Sequence, residues 1–303
     1  MRSFKGEIYL MLAALIWGSA FIFQKMGMDY IGPFLFGFFR FTLGALALLP
    51  VIWISGKVND RKQKKEETTS FRDKTLLAGA LLCGLANFIA GSLQQVGIVY
   101  TTAGKAGFIT SMDIVIVPIL LIFLKKKVAP ATWLGVAIAC FGLYLLCITE
   151  GFTIQLGDGL VMGCAVAYSF QILLIDHYSE RVDPVKLSCL QFLWAGILSG
   201  AVALFAETID PQAIIDCAVP IIYVAILEVS VAFTLQVVGQ KYTPPAIAAI
   251  IMSLEALFSA VCGALFLGET LSTKETLGCG LMLLAFIVAQ IPEMKRGKTE
   301  LED

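Results

Sequence analysis

Stretches of about 20 residues with almost no charge recur ten times along this chain, and most connections between them are very short. A helical residue rises about 1.5 Å, so each stretch matches the roughly 30 Å hydrocarbon core of a bilayer. Strands of a membrane barrel would run for about ten residues with alternating polarity, and these stretches do not alternate. The expected fold is an all-α polytopic membrane protein. Its spans fall near 7–27, 33–55, 75–99, 103–124, 129–149, 157–178, 184–206, 219–240, 244–267 and 273–292. Composition agrees: 58% of the 303 residues are hydrophobic and 15% are charged, against about 25% charged in soluble domains.

The net charge of −1 conceals an asymmetry. With both termini placed on the cytoplasmic side, 18 of the 22 Lys and Arg residues lie on cytoplasmic segments, the exceptions being Lys25, Arg40, Lys105 and Lys274. Basic residues resist translocation, so this bias sets the orientation. The expected location is the bacterial inner (plasma) membrane. Outer loops carry acids instead: Glu150, Asp158, Glu207, Asp210, Asp216 and Glu269. The first span is not a cleaved signal, because its counterpart recurs as the sixth span, where no signal acts. Eight cysteines lie in or beside spans without a CxxC pair, which reads as packed or lipid-facing thiols. Segment 56–74 mixes charge signs and reads as a solvated linker, not a nucleic-acid site.

An internal repeat organises the chain. At an offset of 142, Leu93, Gln94, Val96, Gly97, Tyr100 and Thr101 meet Leu235, Gln236, Val238, Gly239, Tyr242 and Thr243; Ser111 and Asp113 meet Ser253 and Glu255. Near the start of each half, an offset of 151 pairs Gly6-Glu7 with Gly157-Asp158 and Trp17 with Tyr168. The expected halves are 1–150 and 151–303. Each has five spans, so the second enters from the opposite face. Inverted repeats of this kind are a common plan for secondary transporters, with cargo bound near the midplane between the halves.

The motifs carried by these spans resemble the EamA-type drug/metabolite transporters along essentially the whole chain. They are LAALIWGSAFIFQK in the first span, FGFFRFTLGALALL in the second, SMDIVIVPIL in the fourth, and SLEALFSAVCGALFLGETLS followed by GCGLMLLAFIV in the ninth and tenth. The chain departs from that family in carrying Ala256 rather than Pro after Glu255, and Asp113 in the fourth span. The resemblance implies a ten-helix basket of two inverted repeats around a central cavity, lined by spans 1, 3, 4, 6, 8 and 9, with spans 5 and 10 packed together at the periphery. It implies transport of amino acids, other small metabolites, nucleotide derivatives or drugs, commonly by proton coupling or exchange.

Ionised groups inside a span cost about 2.5–3.5 kcal/mol each, which directs attention to Arg40, Asp113, Glu228 and Glu255. As a cavity cluster, the carboxylates hold a substrate amine and one of them carries a coupling proton; as structural groups, they pair with Arg40 or Lys105 or stay neutral. For Arg40 the packing role leads, because the family pattern has Arg there whatever the substrate. Asn87 and Gln94, seven apart, share a face of the third span. Glu228 and Gln236 lie within about 80° of each other on the eighth. These amides line the cavity or bond helices together, at about 0.6–2 kcal/mol per contact. Trp17 and Tyr168 lie too deep for an interfacial belt and either stack on substrate or simply pack. Tyr100 and Tyr242, at helix ends, read as anchors.

The functional expectation is a secondary active transporter for a small polar or amphipathic metabolite, most simply an amino acid or amine. The alternatives are a broad-specificity efflux carrier and, in other classes, a channel or a membrane-embedded enzyme. GxSxG, HExxH and clustered His/Cys ligands are missing from the sequence, as is any filter motif. His177 beside Asp176 reads as a headgroup-level pair. Partners are a small-molecule substrate, membrane lipids and a coupling proton, with no cofactor or metal, in a monomer or weak dimer.

Overall fold

A computed structural model describes residues 5–61, 69–101, 103–147, 155–266 and 272–299, all helices and turns with no strand among them. The helices are α1 (Lys5–Gly27), α2 (Pro33–Arg61), α3 (Lys74–Tyr100), α4 (Ala103–Thr110), α5 (Asp113–Phe123), α6 (Pro130–Cys147), α7 (Leu156–Ser179), α8 (Pro184–Ala206), α9 (Pro211–Asp216), α10 (Ala218–Tyr223), a π-helical stretch Val224–Phe233, α11 (Thr234–Gln240), α12 (Pro245–Met252), α13 (Glu255–Phe266) and α14 (Thr273–Thr299). Among the described residues, eight helical segments are long and apolar enough to cross a membrane, and Pro245–Val261 is a shorter apolar one. The Gly-Glu-x-Leu segment with Glu269, the outer-loop Glu150 and the Lys105 side chain lie outside what is described.

The outside of the bundle is apolar. Leu156, Phe123 and Phe205 are 72%, 78% and 94% exposed, which suits a surface solvated by lipid. Inside, hydrocarbon provides no drive for helix association, so small residues and close backbone approach take over. A Cβ on Gly239 of α11 would lie 2.9 Å from the carbonyl oxygen of Gly6 on α1; one on Gly97 of α3 would lie 3.2 Å from that of Gly157 on α7. These two crossings join positions that the sequence offsets equate. α2 packs along α8, and α6 along α14.

Helix ends are satisfied locally. Asp73 accepts from the amides of Thr75 and Leu76, and Asp183 from those of Val185 and Lys186. Glu207, just past α8, accepts from the amides of Phe34 (2.9 Å) and Leu35 (2.7 Å), so one span's end caps the start of α2. α5 ends in a left-handed Lys125 (φ 58°), with its amide bonded to the Ile122 carbonyl and that of Lys126 to Leu121, a Schellman closure.

Two departures from plain spans matter for the site. The fourth and ninth apolar stretches, each expected as one helix, are interrupted, at Ser111-Met112 and Ser253-Leu254. The bonds across the first interruption run Ser111 to Gly107 (3.1 Å), Met112 to Ile109 (3.1 Å) and Ile114 to Ser111 (3.2 Å). Across the second they run Ser253 to Ala249 (3.0 Å), Leu254 to Ile251 (3.1 Å) and Ala256 to Ser253 (3.3 Å). Every donor and acceptor matches at the offset of 142. In both, i→i−3 bonds tighten the helix as a 3₁₀ turn does, and Met112 and Ser253 have ψ of −8° and −13°. The eighth stretch contains ten residues of π-helix, a winding that is rare and concentrated at functional sites.

Candidate functional site

The local breaks decide where the acids go. Asp113 opens α5 and Glu255 opens α13, so each carboxyl sits in the first turn of a half-helix that starts inside its span. The amides of Ile114 and Ala256 are bonded back to Ser111 and Ser253 across the breaks, so what favours an anion there is the helix dipole. Gly18 on α1 brings that helix against the break: a Cβ there would stand 2.7 Å from the Glu255 carbonyl oxygen. Glu228 lies in the middle of the π-helical stretch, which packs against α2 so closely that a Cβ on Gly44 would meet Val229 at 2.4 Å, while Ser230 donates to the Gly44 carbonyl at 2.7 Å.

These segments surround a cavity. Its lining comes from α1, α3, the α4–α5 break, α7, the π-helix with α11, and the α12–α13 break. Of the residues singled out from sequence, Trp17, Gln94, Asp113, Tyr168, Glu228, Gln236 and Glu255 line it. Arg40 and Asn87 stand behind the wall. Arg40 is 1% exposed and its Nη1 lies 3.3 Å from Glu228 Oε1. Its guanidinium also lies over the Phe41 ring, 4.7 Å from the centroid, and fills the space left by Gly91, where a Cβ would come within 2.8 Å. Arg40 therefore partners Glu228, not Asp113 or Glu255. Gln24 Nε2 donates to the other Glu228 oxygen at 2.9 Å.

Asn87 belongs to a chain of amides running outward from the cavity. Gln236 Nε2 donates to Gln171 Oε1 (3.4 Å), Gln171 Nε2 to Asn87 Oδ1 (3.2 Å), and Asn87 Nδ2 to Gln191 Oε1 (3.4 Å). Because each amide passes its donor outward, the chain leaves an acceptor at its cavity end: Gln236 Oε1 has no partner. Gln24 Oε1 and Asp113 Oδ1 are likewise buried and unpartnered, as are the hydroxyl of Ser111 and the indole NH of Trp17. Asp113 and Glu255 have no ion-pair partner among the described residues. The wall is thus rich in acceptors, with one cation already committed.

Part of the lining is aromatic. Trp17 meets Phe233 edge-on at 4.9 Å, Tyr168 lies 6.4 Å from the same ring, and Phe192 closes behind it at 5.8 Å. Gln24, Gln171, Ser111, Ser253 and Phe233 were not among the residues singled out for the site. Gln24 is seven residues after Trp17 and Gln171 three after Tyr168, so helical spacing alone places each on its neighbour's face. Ser111 and Ser253 are repeat partners two residues before the acids. Nothing in the sequence marks Phe233.

The family model for the EamA-like transporter family matches residues 4–148 and again residues 155–290. An uncharacterized transporter of Archaeoglobus fulgidus is 34% identical over 295 residues, covering 94% of this chain and 86% of its own. Uncharacterized transporter YwfM of Bacillus subtilis is 23% identical with 98% of each chain covered. Threonine/homoserine exporter RhtA of Escherichia coli is 24% identical over 179 residues, 56% of this chain and 58% of its own. A solved crystal structure shares the fold with a TM-score of 0.75 at 16% identity, over 96% of this chain and 98% of that one.

Proposed function

The chain belongs to the EamA-like transporter family and is a multi-pass membrane protein, and from that premise we propose that its cavity carries a small metabolite bearing a protonated amine, by alternating access. The observation that carries this reading is the surplus of acceptors at the wall. Three carboxylates and two free amide oxygens face the cavity, and the nearby guanidinium is consumed by one of them. An ammonium has three donors and no acceptor, so it complements this wall, whereas a phosphate ester would meet acceptors with acceptors. The aromatic side of the cavity suits the apolar part of an amphipathic cargo. The likeness to an exporter of threonine and homoserine agrees with an amino-acid-like cargo.

The proposed architecture is ten spans in two inverted halves, 1–150 and 151–303, in the bacterial inner membrane with both termini cytoplasmic. Alternating access has support at the two ends of the cavity. Thr101 donates to Asp158 where α3 ends and α7 begins. The repeat-equivalent residues are Thr243 and Glu7, both buried, and there Thr243 Oγ1 and Glu7 Oε2 have no partner. Beside Thr243 a recess opens among the ends of α5, α7, α11 and α12. On the orientation given by the basic residues, the made contact is outer and the unmade one cytoplasmic, an inward-facing arrangement. Exchanging which contact is made interconverts the two states of an inverted-repeat carrier.

The test is counterflow in proteoliposomes with a panel of amino acids, amines and their uncharged or anionic analogues. Saturable exchange of amine-bearing compounds is expected. Exchange confined to anionic compounds, or to none, overturns the reading.

A further inference from the structure

Both charge signs gather in the recess beside Thr243, which shares no lining residue with the cargo cavity. The chain turns at the left-handed Lys125, and Lys126 and Lys127 beyond it line the recess with Asp176 of α7, Glu180 just past α7, and Lys241 just past α11. Lys126 Nζ lies 3.2 Å from Asp176 Oδ2, so those two charges match. Lys127, Lys241 and Glu180 have no ion-pair partner among the described residues. Two buried side chains of the recess add free oxygens. Gln240 Nε2 donates to the Ile172 carbonyl at 3.0 Å, which leaves Gln240 Oε1 without a partner, and Thr243 Oγ1 has none either; both residues are 2% exposed. Two cations, one carboxylate and two free oxygens therefore share one concavity. A simple anion suits the lysines and leaves the acceptors unmet, and a simple cation does the reverse.

We infer that the recess binds the headgroup of an amine-bearing glycerophospholipid, with its phosphate held by Lys127 and Lys241 and its ammonium by Glu180, Gln240 Oε1 and Thr243 Oγ1. Its place in the fold favours a lipid over a soluble ligand. Ile122, Phe123 and Leu124, directly before the lysines, are exposed apolar residues against which acyl chains can lie. Lysines at the end of a span, and an exposed Tyr242 beside them, are what the headgroup layer selects. The headgroup's chemistry completes the match. Its phosphate offers only acceptors to the two ammonium groups of the lysines, and its own ammonium has three donors and no acceptor. A choline headgroup has no N–H to give, and a glycerol headgroup lacks the positive charge. Lys127 lies in the first stretch matched by the family model and the remaining groups in the second, so a bound headgroup ties one half of the chain to the other.

The intact protein, stripped of lipid in detergent, is titrated with dioleoyl lipids that differ only in headgroup, and occupancy is read by native mass spectrometry. Phosphatidylethanolamine is expected to half-saturate at about a tenfold lower concentration than phosphatidylcholine or phosphatidylglycerol. Glu180→Gln is expected to abolish that preference, and Lys127→Gln combined with Lys241→Gln to weaken all three lipids by about tenfold or more. Inorganic phosphate and glycerophosphoethanolamine, the same chemistry without acyl chains, are expected not to displace the lipid at equal concentration. Equal binding of the three lipids by the unmodified protein, or none, overturns the inference, and that comparison needs no variant to fold. A preference that survives Glu180→Gln, or lipid binding indifferent to the paired lysine changes, also overturns it. Displacement by either chainless compound at equal concentration removes the lipid as occupant. Counterflow bears on none of these outcomes, so the cargo reading and this site stand or fall separately.

Discussion

Replacing Arg40 by Met removes the guanidinium that pairs with Glu228 and leaves that carboxylate buried without a counter-charge among the described residues. The side chains are 1% and 4% exposed and 3.3 Å apart, so solvent screens little. Removing one partner of such a pair costs about 3–5 kcal/mol. The stacked contact with Phe41 at 4.7 Å adds about 0.5–2 kcal/mol, while Met recovers part of the packing volume beside Gly91. The expected loss is about 4 kcal/mol, read from equilibrium unfolding in detergent. Replacing the pair together, Arg40→Met with Glu228→Gln, removes both charges and is expected to return the protein to within about 1–2 kcal/mol of its starting stability. The cycle thus separates a desolvated ion pair from a merely well-packed arginine. A loss below about 1 kcal/mol for Arg40→Met, or a double variant no more stable than the single one, would refute the argument.

Other outcomes follow from contacts described above. Glu207→Ala strips two amide caps from α2 and is expected to cost about 1–2 kcal/mol, with faster amide exchange confined to Phe34 and Leu35. Gly142→Val pushes a side chain toward the Gly278 carbonyl, 3.1 Å from the built Cβ, and is expected to cost about 1–3 kcal/mol in thermal unfolding. Thr101→Val removes the hydroxyl that holds Asp158; a bond to a charged group is worth about 1.5–3 kcal/mol, so amide exchange in the first turn of α7 should speed up roughly tenfold or more. Asp73 lies outside the spans, and the amides of Leu76 and Thr75 hold its carboxyl below the ordinary range. Its contribution is complete above the ordinary Asp pKa and lost only as pH falls through the lowered one. Exchange protection at the start of α3 should therefore be flat between about pH 5 and 8.

The eight helices long and apolar enough to span were legible because hydrocarbon thickness imposes a length that few other constraints imitate, and the repeat was legible because Gln94 with Gln236 and Asp113 with Glu255 retain one offset. Those signals, with the charges inside spans, brought seven of the sixteen residues on the cavity wall into view. Asn87 was harder: periodicity put it on the face of Gln94, but its amide bonds to Gln171 and Gln191 point it between α7 and α8. Arg40 and Glu228 are 188 residues apart, and no local pattern announces such a pair. The breaks at Ser111 and Ser253 carry neither Gly nor Pro at the turn, so the usual punctuation of a helix is missing. Lys125 likewise takes a left-handed conformation where glycine is the usual signal.

The π-helical stretch gives the eighth span slack in its winding. Its i→i+5 bonds put more residues into each turn than an α-helix holds, so Glu228 and Gln236 face the same cavity by virtue of the looser pitch. Rewinding those ten residues as α-helix would turn Gln236 about the axis relative to Glu228, as a key turns against a fixed ward, since Arg40 is anchored on another helix. Deleting a single residue within Val224–Phe233 would let the remaining nine rewind as α-helix, whose wider step of about 100° per residue offsets the lost one and keeps Thr234–Gln240 near its present facing.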